Sequence, residues 1–358
     1  MDAITDGARN VGLGYGALSA STSAIDVVAI GKDAVADGNV TTAAVGSIGI
    51  GSSALKALTS GAGNTAVGYE SLKTAATESQ TVALGYQSMA IALPGSNGVF
   101  IGYKAGYDLS QGGDNNVAIG HESMSGTHGG GSEKNTAVGS GTMAGAINAA
   151  ARNTAVGYDA GAAITTATDN VLLGSNSANT MTVGTNNVAI GSGALDGVST
   201  GAINKNVAIG KDAMGGAIGT ESVANCVAIG ANALQGALDS TDGVDKASGA
   251  VAVGKSALAA LTTGASNTAV GYNALLVNQT GGYNTAVGNT ALDACTGAEN
   301  TAVGWDAGGA IIGGSNNSCF GSNSGDSITT GTYNTCIGDG TDAVADATNQ
   351  IAIGKGAI

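Results

Sequence analysis

Hydrophobic residues in this chain do not follow the 3.6-residue stripe of an amphipathic helix. They come in three-residue bursts, most preceded by a polar residue and all closed by Gly. The burst, Asn-(Thr/Val)-Ala-(Val/Ile)-Gly or a close variant, recurs twenty times, from Asn10–Gly14 to Gln350–Gly354. With the closing Gly as position zero, ten of the 19 spacings are 17 residues and the range is 16 to 24. Short segments repeating at one phase predict an all-β fold, a parallel β-solenoid or β-roll of about twenty rungs. Stacked at about 4.8 Å per rung, these would give a rod of roughly 95 Å. The longest spacing, Gly230 to Gly254, holds Asp239–Asp245 and reads as an extra loop. Residues 1–9 read as a lead-in and 10–358 as one continuous repeat domain, with no separate cap, stalk or anchor.

The columns of the repeat assign roles. Position −1 is apolar in all twenty copies (Val67, Ile119, Ile190, Val287), and position −3 is β-branched in nineteen. These positions share one face of a strand, and the sequence predicts that this face lines the coil interior. Position −2, Ala in fourteen copies, is then expected to face outward as a small column suited to close packing against a neighbouring coil. Position −4 is Asn in thirteen copies (Asn64, Asn116, Asn187, Asn284), where it can bond the backbone at a corner and stack its amide on the next rung. The zero Gly (Gly68, Gly120, Gly191, Gly288) implies positive φ or a tight corner. Beyond it, a small residue at +3 and, often, Leu or Met at +4 predict a second strand or bend that returns a larger side chain to the core.

Composition fits a thin coil. There are 62 Gly, one Pro and 3% aromatic residues in 358, too few large side chains for the thick core of an ordinary domain. Gly lacks the every-third period of collagen, and 43% hydrophobic content argues against disorder. Net charge is −14 with only twelve Lys and Arg, so no basic stripe exists for nucleic acid. Only 11% of residues are charged, and this shortfall suggests that other chains cover part of the surface. No run of 18 apolar residues predicts a membrane span, and the start has no basic and apolar leader pattern, so no signal peptide is visible.

Candidate chemistry is sparse. The two His, His121 beside Glu122 and His128 in a Gly-rich loop, lack further ligands in sequence for a metal. No Ser carries a nucleophile-elbow context, no phosphate loop appears, and the Asp residues keep no fixed phase. The expectation is a non-enzyme with no cofactor. Cys319 and Cys336 share the −2 slot of successive rungs and read as small packing residues. One surface feature stands apart: position +1 is Tyr in six copies, with Tyr69, Tyr86 and Tyr103 consecutive and Trp305 further on. This stripe is a candidate contact for sugars or a protein partner, or else a corner that covers the coil.

The motif as written in Asn64–Gly68 and Asn187–Gly191 resembles the head repeat of YadA-like trimeric autotransporter adhesins and related repeats in bacteriophage tail fibres. The resemblance spans about residues 10 to 358. It implies a left-handed parallel β-roll and a homotrimer. Those adhesins use a shorter rung and add a signal peptide, a coiled-coil stalk and a membrane anchor, so the phage branch is the nearer likeness. It further implies a structural or adhesive fibre shaft in host attachment, on a virion or outside the cell, with a cell-surface glycan or protein as receptor. The alternative is a bacterial extracellular filament or surface adhesin built head to tail. Joining Ile358 to the next Met1 would space the zero glycines by 18 positions, inside the observed range. An ice-binding solenoid is a remote third reading, because Thr65, Thr136, Thr154, Thr268, Thr285 and Thr301 occupy the −3 slot expected to point inward.

Overall fold

The computed structural model describes residues 5–92, 96–109, 113–197, 203–218, 223–238 and 247–358. The extra loop expected at 239–245 lies outside the described residues. The protein is all-β, a parallel β-solenoid of about 19 turns with a period near 17 residues, and no α-helix occurs among the described residues. It forms two compact units, Met1–Ser175 and Asn176–Ile358. In the first, three-residue strands from Val11–Leu13 to Val171–Leu173 pair in parallel, −3 on −3 and −1 on −1, as in Thr65↔Val82 and Val67↔Leu84. The second repeats this from Val188–Ile190 to Ile351–Ile353.

Each rung bonds to the rungs on both sides. The −3 amide donates to one neighbour (Thr65 N to Thr81 O, 2.8 Å) and the zero amide to the other (Gly68 N to Ile50 O, 2.8 Å). All twenty zero glycines lie at φ between +118° and +148°. A Cβ on Gly68 would overlap the backbone carbonyl of Gly85, and one on Gly288 that of Gly304. The column is therefore Gly for two reasons, left-handed backbone and direct rung-on-rung contact.

Other corners use left-handed residues that are not Gly. The +4 side chains Leu72, Met124 and Leu275 sit at φ +46°, +50° and +52°, and all three are fully buried. An L-residue in this region costs about 1–2 kcal/mol, whereas burying a Leu or Met contributes about 1.5–3 kcal/mol. The backbone bond from Leu72 N to Ser88 O, 3.0 Å, adds to that side. Burial wins, and the coil turns there because the apolar side chain is drawn inward.

The strand facing reverses the expectation from sequence. The −2 residues, among them Ala66, Ala118, Ala189 and Ala286, have no exposed surface and line the interior. The −1 residues Val67, Ile119, Ile190 and Val287 and the −3 residues face outward and are half-buried or exposed. The −3 threonines point outward as well. β-branching marks a preference for strand backbone and is silent on which face is buried. The deciding fact is space. The interior already receives the +4 Leu or Met and a +7 residue such as Leu58, Leu261 or Ile311, leaving room for only Ala from the strand.

Exceptions to the Ala column follow the same volume rule. Phe100, fully buried, lies where a Cβ on Gly98 or Gly106 would strike its ring. Gly106 stands in the +4 slot that in most rungs holds Leu or Met. Cys319 is accommodated similarly by Gly325.

Apart from the half-buried Asn10, the −4 Asn side chains are buried, and most form ladders. Asn300 Nδ2 donates to Asn284 Oδ1 (3.2 Å) and to Gly314 O (2.9 Å), and Asn300 Oδ1 accepts from Asn317 N (3.0 Å) and Asn317 Nδ2 (3.1 Å). Asn116, Asn135, Asn153 and Asn170 do the same in the first unit. Asn187 continues to Asn206 in the second, while Asn64 bonds Glu78 O (2.6 Å) and Thr81 N (3.1 Å). A buried amide needs partners for all its polar atoms, and the adjoining rungs supply them.

Candidate functional site: an apolar sheet face and an aromatic ladder

Two surface features emerge from these columns. The first is the outward face of the main sheet in each unit. It presents two in-register rows, −3 and −1, and none of the forty residues in those rows is charged. In the second unit the −3 row reads Thr268, Thr285, Thr301, Ser318 and Thr335, paired strand on strand. The row beside it reads Val270, Val287, Val303, Phe320 and Ile337, each between 36% and 41% exposed. Large apolar side chains aligned on adjoining strands, without intervening charge, form a patch of the kind that water-facing surfaces avoid.

The second feature is at position +1, just past the Gly corner. Tyr69, Tyr86 and Tyr103 stack face to face, with ring centroids 5.1 and 5.5 Å apart and planes within 17°. His121 continues the stack, 5.0 Å from Tyr103 at 11°. The sequence sets His121 beside Glu122 without further metal ligands; the geometry makes it the fourth ring of the ladder. Its place in the +1 column directly after Tyr103 is the signal in the sequence that points to this role. Lys104 Nζ lies 5.4 Å from the Tyr103 ring centroid and 5.1 Å from that of Tyr107. Glu70 ties the base of the ladder, accepting from Lys73 Nζ and Gln87 Nε2 at 2.8 Å each. These bonds hold its carboxyl below the usual range, and the Glu70 charge in turn raises the Tyr69 phenol.

Stacking has a consequence for ligands. Tyr86 and Tyr103 have both faces covered by neighbouring rings, so a sugar cannot stack on either. What these rings offer a partner is a row of edges and hydroxyls. Trp305, 56% exposed, lies in the second unit with Asn289 and Ser322 at the adjoining +1 positions, and no ring is paired with it among the described residues. The structure thus gathers Tyr69, Tyr86 and Tyr103 into one array, while Trp305 has no ring beside it within its own unit.

The remaining polar candidates are internal. His128 belongs to a Gly-rich loop in sequence, yet its side chain is fully buried, and burial pushes its pKa down to about 4. All four Cys are buried thiols. Cys319 and Cys336 are register partners, and contact with Cys336 together with burial raises the Cys319 thiol. Burial pushes Cys295 up to about 11, which leaves it protonated and inert as a nucleophile. Among the described residues no group of three or more His, Cys, Asp or Glu is placed to hold a metal, and no helix is long and apolar enough to cross a membrane. Compared with known proteins, the sequence matches no family model and no curated protein.

Proposed function

We propose that this chain is the shaft of a homotrimeric fibre, structural and adhesive in role, of the bacteriophage tail-fibre or spike type that attaches to a host surface. The observation that carries this reading is the uncharged outward face of −3 and −1 residues, continued strand after strand within each unit. A second and third copy of the chain supply a matching apolar face, and three such faces close around an axis without a leftover edge. The low charge content follows, since the covered face carries none. The likeness of the Asn-Val-Ala-Ile-Gly motif to YadA-like heads supports the same assembly, while attachment to a host draws on that likeness and on the exposed tyrosine edges.

Light scattering tests the assembly. A mass near three times 33.9 kDa is expected, and a monomer at every concentration overturns the proposal. Replacing Ile209 and Ile229 together by Lys places charge on the face and should release monomers that still fold. Replacing Tyr69, Tyr86 and Tyr103 by Ser tests attachment. Host-cell or glycan binding that persists unchanged on an intact trimer removes the ladder from the receptor site. Particles of one discrete length separate a fibre shaft from a head-to-tail filament, which would lengthen with concentration.

One observation favours a second reading. The Thr row 268–335 points outward, contrary to expectation, and with the adjoining Val row makes a flat, regular array of hydroxyls and methyls of the sort that orders water as ice does. Ice-recrystallisation inhibition by the purified chain would support ice binding. Its absence, with a trimer in solution, leaves the fibre reading.

A further inference from the structure

The three tyrosines of the ladder differ from every other tyrosine in the chain. Among the described residues no other tyrosine rings stack on one another, although Tyr15, Tyr158 and Tyr283 are more exposed. Tyr69, Tyr86 and Tyr103 are 41% to 46% exposed, so a reagent in solution reaches their edges. Their surroundings are not alike. At one end the Glu70 carboxylate acts on the Tyr69 phenol, and its influence outweighs that of Lys73. A negative charge beside a phenol favours removal of an electron from the ring, and a carboxylate can also take the proton that the oxidised phenol sheds. At the other end Lys104 Nζ stands 5.4 Å from the Tyr103 ring centroid. A cation held against a ring opposes electron loss from it. Tyr69 and Tyr86 are thus the pair easier to oxidise, and they are also the closer pair, 5.1 Å against 5.5 Å.

We propose that Tyr69 and Tyr86 form an oxidative modification site, where hydrogen peroxide acting through a haem peroxidase joins the two rings as dityrosine. Each phenol loses one electron and one proton, the Tyr69 proton passing to Glu70 and the Tyr86 proton to water. The two phenoxyl radicals couple through ring carbons ortho to their oxygens. The hydrogens on those carbons then shift to the oxygens and restore both phenols. Two tyrosines and one peroxide give one dityrosine and two waters. The rings occupy one column on consecutive rungs, and their exposed edges leave room to rotate into the bond. Tyr103 lies two rungs from Tyr69, about 10 Å away, and cannot couple to it past Tyr86. The product is a covalent staple across one 17-residue turn of the coil, which restricts the unfolded chain as any crosslink does.

The test treats the full chain, in dilute solution, with a haem peroxidase and hydrogen peroxide. The denatured product is then read by dityrosine fluorescence and peptide mass spectrometry. The expected product is a single chain that has lost two hydrogens and joins the peptides of Tyr69 and Tyr86. Its yield per chain should not change with protein concentration, and the treated chain should unfold at higher urea. Tyr86→Phe keeps the stacked ring but forms no phenoxyl radical, so the intrachain product should disappear. Tyr103→Phe should leave it unchanged, and Glu70→Gln should slow its formation. Coupling chiefly of Tyr86 to Tyr103, an intrachain product that survives in Tyr86→Phe, or crosslinks only between chains would each overturn the proposal. An unchanged rate in Glu70→Gln overturns the role given to that carboxylate. Because denatured single chains are analysed, no outcome depends on trimerisation or host attachment.

Discussion

The two compact units are built from the same rung, yet they break its columns in different places. In the first unit, residues 1–175, the +1 column assembles Tyr69, Tyr86, Tyr103 and His121 into a ladder, while the interior admits Phe100 and His128. In the second, residues 176–358, the +1 column mixes Lys211, Ala231, Lys255, Tyr272, Asn289 and Trp305 and no ladder of rings forms. There the regular columns persist instead: Asn267 to Asn334 at −4 and Thr268 to Thr335 at −3. Because every rung can satisfy its backbone through its neighbours, a column residue is free to vary if its own volume and polar atoms are accommodated. Uniform columns carry stability. Departures from them mark where a side chain has been placed for another reason, or where a compensating Gly was needed.

The largest effect should come from the departure that is not compensated. Folding keeps His128 neutral, with a pKa of about 4 against 6.5 for an unburied imidazole. The unfolded chain therefore binds the extra proton over that range. Stability contributed here is complete above pH 6.5 and falls as pH drops toward 4, by about 3 kcal/mol in all. Protection factors of the amides around Met124 and Ile147 should fall as pH drops through that window. In His128→Leu they should not, and that variant should be more protected at every pH.

Next in size is the uniform column. Asn300→Ala removes one partner of Asn284 Oδ1 and the side-chain partners of Gly314 O and Asn317 N inside the second unit, at a cost of about 2–3 kcal/mol. The matching change at the −4 position of a broken ladder, Thr81→Ala in the first unit, loses only the bond from Oγ1 to Ser79 O. It should cost under about 1 kcal/mol. Equal urea sensitivity of the two variants would refute the claim that the Asn ladder holds the rungs together.

Tyr86→Ala interrupts the ladder at its centre and removes two ring contacts. A loss of about 1–2 kcal/mol is expected, reduced because the ring is half exposed. Trp305→Ala, with no paired ring, should cost less. The smallest effect is a gain. Thr290 is β-branched yet lies at φ +55°, where the equivalent +2 positions of adjoining rungs hold Asn273 and Asp306. Thr290→Asn should stabilise the second unit by about 0.5 kcal/mol, read as a shift in midpoint.

The regularity of the chain makes the rung and its register legible in the residues alone. The zero Gly, the buried Leu at +4 and the Asn amide on its neighbour each follow from residue type at fixed phase. The facing of the strand is not legible, because Val-Ala-Val alternates identically whichever side is inward. Val67 and Ala66 exchange roles according to how much of the interior Leu55 and Leu72 already fill, and those residues lie on other segments of the coil. His121 is visible as a column member and escapes notice only when it is grouped with its sequence neighbour. His128 offers no signal, since a +8 residue in a Gly-rich loop gives no hint that it enters the core.

What the sequence determined by itself was periodic: strand after strand in parallel, one rung per 17 or so residues, corners set by Gly and by local Asn bonding. These depend on backbone conformation and near-neighbour hydrogen bonds, which residue types dictate directly. What only the tertiary structure decided was the division between inside and outside and the company each side chain keeps. That division is a matter of volume shared among segments far apart in the chain. It turned the Val and Thr rows toward solvent, stacked three tyrosines with a histidine, and sealed an imidazole beside an unpaired carboxylate oxygen.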